Sequence, residues 1–111
     1  MIELAKASPR IENWIIKWYS GDTFDINFEF IFSDGEGVVI SPEETDYLEF
    51  TIYNQYYNII YTEKVYNSHS ILLLVDDEET KKFPRGTYFY VIKRVAGYKT
   101  TIVQENKVIV E

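Results

Sequence analysis

Cysteine is missing from all 111 residues. Its absence excludes a disulfide framework, a thiol nucleophile and a cysteine metal site, and suits folding in a reducing cytosol. Alanine is nearly absent, which argues against a helical protein. No apolar run approaches the roughly 18 residues that a membrane helix needs. The N-terminal Met-Ile-Glu-Leu-Ala-Lys lacks a basic segment followed by a long apolar one, so no signal peptide is expected. Positive charge is scarce: 11 Lys and Arg face 18 Asp and Glu, for a net charge of −7. Such a surface repels phosphate backbones, so nucleic acid is not an expected partner. Histidine occurs once, at His69.

Aromatic residues are abundant, with ten Tyr, seven Phe and two Trp. They favour strands. Residues 23–33 carry the clearest pattern. Phe24, Ile26, Phe28, Phe30 and Phe32 fall on one face, and Asp25, Asn27 and Glu29 on the other. A period of two over this length predicts a half-buried strand. Residues 13–19 alternate similarly, with Trp14, Ile16 and Trp18 together. So do residues 47–54, with Leu48, Phe50 and Ile52 inward and Glu49 and Thr51 outward. A return strand is expected over 57–63, with Tyr57, Ile59 and Tyr61 on one face.

The wholly apolar run 71–75 reads as a strand covered on both sides. Further strands are expected over 87–95, 98–103 and 108–110, the last after a bend at 104–107. The charge run 76–82 reads as a short helical turn, acids first and lysines last, in accord with the helix dipole. Residues 1–9 read as a mobile lead-in. Seven or eight strands at these intervals predict one all-β domain, a sandwich or small barrel.

Candidate chemistry is sparse. A Ser-His-Asp arrangement around His69 needs Asp76 or Asp77 behind the ring and a serine in front, and nothing in the Asn67-Ser68-His69-Ser70 turn supplies that geometry. The acids Glu43-Glu44 and those of 76–79 are adjacent rather than opposed across a cleft, as glycoside hydrolysis requires. Asp34-Gly35-Glu36 and the 76–79 acids offer oxygen ligands without calcium-loop spacing. The expectation is a protein that is not an enzyme and that uses no metal and no cofactor.

Tyr53, Tyr56, Tyr57, Tyr61 and Tyr66 cluster around the central hairpin. Exposed tyrosines either stack on sugar rings or anchor a protein partner. The stretches 59–61 and 88–92 carry apolar or aromatic residues on both faces, more than a small domain buries internally. Trp14 and Trp18 are further candidates for docking or packing.

One pattern points to a family. An apolar strand precedes Glu79-Thr80, then Pro84, Gly86, Thr87, Tyr88 and Tyr90, then Gly97, then Val108-Ile109-Val110. Gly21-Asp22-Thr23-Phe24 opens the long strand, and Tyr47-Leu48-Glu49-Phe50-Thr51-Ile52 lies in mid-chain. Over residues 20–111 this resembles small immunoglobulin-like β-sandwich domains of bacteriophage virion proteins. Those include the N-terminal domain of upper-baseplate proteins of phages that infect Gram-positive bacteria. Two departures are the strongly aromatic strand at 14–19 and the greater length of the usual phage protein.

The resemblance implies an antiparallel immunoglobulin-like sandwich of seven or eight strands. It also implies a structural or adaptor protein of tail or baseplate, made in the host cytoplasm and located in the virion. Its partners would be copies of itself or other virion proteins. The alternative is a carbohydrate- or host-surface-binding module. In either case Pro84 and Gly86 enforce a tight entry into a strand, and Tyr88 or Tyr90 is placed to fold back on the preceding loop as a tyrosine corner.

Overall fold

A computed structural model describes residues 10–33, 36–76, 78, 81 and 83–111. The described chain is all-β. Its strands are β1 (Arg10–Glu12), β2 (Ile15–Trp18), β3 (Phe24–Glu29), β4 (Tyr47–Tyr53), β5 (Ile59–Tyr66), β6 (Ser70–Val75), β7 (Gly86–Ala96) and β8 (Lys99–Val110). Six form one sheet in the order β1-β2-β8-β7-β4-β5, and β3 and β6 form a second.

Every pairing is antiparallel except β2 with β8, which runs parallel through Ile16↔Val108 and Trp18↔Val110. The large sheet is therefore mixed, which corrects the antiparallel expectation. β1 fills one edge of β2 through a hairpin, and β8, returning antiparallel to β7, meets the other edge of β2 in the same direction.

Alternation builds the core. Phe24, Ile26 and Phe28 of β3, with Ile71, Leu73 and Val75 of β6, meet Ile16, Trp18, Leu48, Phe50, Ile52, Tyr88, Tyr90, Ile92, Val108 and Val110 of the large sheet. Trp18 packs edge-on against Phe24 at 4.8 Å between centroids. Fully burying one such side chain is worth roughly 1.5–3 kcal/mol.

Four local expectations change. Trp14 is no strand residue: it shares a two-residue turn with Asn13, both at positive φ (65° and 51°), and is half exposed. Thr51 points away from the core as its parity demands, yet is only 2% exposed, because β4 lies between β5 and β7 and the cross-strand neighbours Thr62 and Val91 flank it, with the Thr62 hydroxyl at 3.3 Å. Leu72 lies on the uncovered face of the small sheet and is 58% exposed, so β6 is covered on one side only. Residues 99–110 form one continuous strand, with a bulge between the pairs Ile92↔Gln104 and Lys93↔Ile102 in place of the expected bend.

A register shift at the start of β5 likewise turns Ile59 outward, away from the face of Tyr61. The short strand β1 follows directly on the expected lead-in. The lead-in itself, Asp34-Gly35 and Glu79-Thr80 lie outside the described residues, as does most of the expected helical turn at 76–82; within it Glu78 and Lys81 form an ion pair at 3.1 Å.

Candidate functional site

The inward turn of Tyr88, Tyr90 and Ile92 forces Phe89, Val91 and Lys93 onto the opposite face of β7. Cross-strand pairing sets Tyr53 beside Phe89, Lys107 beside Phe89 on the other flank, Glu105 beside Val91 and Ile102 beside Lys93. These side chains line an open groove of about 510 Å³ on the outer face of the large sheet, with Tyr57 at its rim. Tyr57 stands at φ 63° and is 81% exposed. It is held there by Asn54, whose side-chain carbonyl accepts from the backbone N–H groups of Tyr56 and Asn58, and whose backbone carbonyl accepts from that of Tyr57.

The groove is apolar along its floor and basic at two points, Lys93 and Lys107, with Glu105 its one acid. Among the described residues neither lysine forms an ion pair. No family model, curated protein or solved structure matches this chain. The site is therefore read from its own geometry.

That geometry divides the tyrosine cluster. Tyr53 and Tyr57 belong to the groove. Tyr61 faces the other way, because it pairs with inward Ile52, and lines a cleft of about 400 Å³ between the sheets with Ile60, Val75, Phe83 and Tyr88. Its hydroxyl donates to Glu63, and burial, with that bond, raises its pKa. Tyr56 lines a smaller pocket beside Arg85, Gly86 and Thr87. Tyr66 packs against Tyr47 with the rings tilted and 5.2 Å between centroids, next to the Lys64–Glu49 pair. Trp18 is a core residue, whereas Trp14 lies at the mouth of a depression shared with Asn27 and Glu29.

Phe89, Val91 and Ile102 complete the groove. The two-faced apolar character of 88–92 announces the first two. Ile102 escapes a sequence reading because the bulge beside it resets the alternation of β8.

Two tyrosines act as internal ties. The Tyr88 hydroxyl donates to the Pro84 carbonyl at 2.7 Å, folding the strand back on its entry loop. The Tyr90 hydroxyl donates to the carbonyl of Trp14, far away in sequence, and burial pushes its pKa up to about 12.

His69 packs edge-on to Phe32 at 4.7 Å. The Arg94 guanidinium lies over the same Phe32 ring at 4.8 Å and pairs with Asp46 at 3.8 Å. Burial first, and then Arg94, lower the His69 pKa, with Asp46 opposing. Ser68 is occupied in a local turn, donating to the Ser70 carbonyl and accepting from the Ser70 N–H. Among the described residues no cluster of three or more His, Asp or Glu is placed to hold a metal, and no helix is long and apolar enough to cross a membrane.

Proposed function

We propose that this chain is a non-enzymatic structural or adaptor protein of a bacteriophage particle, in the tail or baseplate, acting through protein–protein contacts on an immunoglobulin-like sandwich. The observation that carries the reading is the outer face of the large sheet. Its apolar groove, floored by Tyr53, Phe89, Val91 and Ile102, is left open by the described chain. Exposed apolar surface of this kind marks an interaction site.

The immunoglobulin-like part is supported by the strand arrangement and by the centre of the core. β7, where Tyr88 makes a corner onto Pro84, takes the place of the strand that carries the tyrosine corner in such domains. Two residues further on, where antibody domains have a cysteine bridged to the facing sheet, stands Tyr90, 6.0 Å from Phe28 of that sheet. Phe50 of β4 stacks on Tyr90 at 5.6 Å, where the buried tryptophan would pack. An aromatic trio thus replaces the disulfide pin in a chain without cysteine.

A second reading, a carbohydrate- or host-surface-binding module, is favoured by the exposed ring of Tyr57 at the groove rim. Light scattering across a concentration series separates the two. A discrete trimer, hexamer or larger ring supports assembly. A strict monomer that is retained on a glycan array supports the second reading.

A further inference from the structure

The two broad outer faces of the molecule carry opposite charge at the same spacing. On β3, Asp25 and Glu29 point outward four residues apart, with Asn27 midway. Leu72 of β6 is the cross-strand partner of Asn27, so an exposed apolar side chain sits between the two acids. On the opposite side of the molecule, Lys107 lies beside Phe89, and Lys93 follows Phe89 on β7 by four residues. Val91 and its partner Glu105 fall midway.

At about 3.4 Å per residue the members of each pair are separated by roughly 14 Å along the strand direction, the acids on one strand and the lysines on the adjacent strands β7 and β8. One face therefore reads acid, leucine, acid, and the other base, apolar groove, base, with Glu49, the β4 neighbour of Lys93, engaged by Lys64 at 3.6 Å. Glu105 does not break the match, since it falls opposite the amide of Asn27.

We propose that the groove receives the outer β3–β6 face of a second copy of this chain. Leu72 enters between Phe89, Val91 and Ile102, while Asp25 and Glu29 meet the two lysines. The two patches differ, so the contact is heterologous. Copies stack head to tail into a ring if the rotation closes, and into a filament if it does not. The proposal rests on the assembly reading above and specifies the surfaces it uses.

The test is charge reversal, read as mass by sedimentation and light scattering. Wild type should self-associate at about 50 mM salt and dissociate towards about 500 mM, where screening is strong. Lys93→Glu with Lys107→Glu should weaken association by at least about tenfold, and so should Asp25→Lys with Glu29→Lys, because each sets like charges together. An equimolar mixture of the two doubly reversed proteins should restore association as alternating copies, in even-numbered rings or filaments, since every contact between unlike variants is again complementary. All four substitutions are at the surface, and circular dichroism should show the same fold.

Wild-type association that neither reversal changes overturns this interface and leaves the assembly reading standing. A wild-type monomer at every concentration and salt overturns head-to-tail stacking. If that monomer also binds an acidic polysaccharide, and loses it on lysine reversal, the groove is a glycan site and the assembly reading falls with it.

Discussion

Tyr88 and His69 show how much can depend on one side chain. Among the described residues the Tyr88 hydroxyl has one partner, the Pro84 carbonyl. Tyr88→Phe should destabilise the fold by about 1 kcal/mol, the net value of one partly buried hydrogen bond. Urea titration should show a lower midpoint with an unchanged slope, since no surface is newly exposed.

His69 acts through pH. Its pKa is lowered in the fold, so the unfolded chain binds the proton more tightly. Stability is therefore full above the ordinary value of about 6.5 and falls as pH drops below it, levelling off once the folded form is protonated too. With one histidine in the chain, His69→Gln should abolish that component. Urea midpoints of wild type and variant, compared between about pH 5 and 7.5, test it. Sequence narrowed the residue that folds back on the entry loop to Tyr88 or Tyr90, because Pro84 and Gly86 mark the entry, and Tyr88 makes that bond. It gave no hint that Asp46, Arg94 and Phe32 surround His69, since those residues come from separate segments.

At the scale of elements, legibility followed local pattern. The alternation of Phe24, Ile26 and Phe28, and of Leu48, Phe50 and Ile52, is fixed by burial on one side and reads directly from the chain. The turn between β1 and β2 does not, because a tryptophan stands where positive φ is required and Asn-Gly is the usual signal. Trp14→Gly should raise stability by about 1 kcal/mol by removing left-handed strain, and it keeps the backbone carbonyl that Tyr90 uses. A thermal melt checks this, and a fall in stability would mean that the exposed ring is held by packing.

The bulge in β8 is equally invisible, as it depends on what β7 presents. That is why residues 99–110 look like two strands in sequence and form one. The groove inherits this limit: Phe89 and Val91 are legible, but their juxtaposition with Tyr53, Ile102 and Lys107 belongs to the register.

For the whole molecule, burial of phenols sets an alkaline limit. Tyr61, Tyr88 and Tyr90 all have raised pKa values, each mainly through burial, while Tyr57 and Tyr98 stand in solvent. The neutral forms are favoured in the fold, so stability is intact below about pH 10 and declines as pH rises towards about 12, where Tyr90 itself ionises. A spectrophotometric titration should show Tyr61, Tyr88 and Tyr90 as a late group that ionises together with loss of the near-ultraviolet circular dichroism signal.

The parallel contact between β2 and β8 carries a consequence for the order of events in folding. Residues Ile16 to Trp18 find their β8 neighbours only at Val108 to Val110. Until Val108 and Val110 emerge, the early hairpin has no edge to join and Trp18 lacks part of its packing. Closure of that loop spans nearly the whole sequence, a topology associated with slow folding. During synthesis the β3–β6 pair and the β4–β5 hairpin can form first, and β2 waits, exposed, for β8.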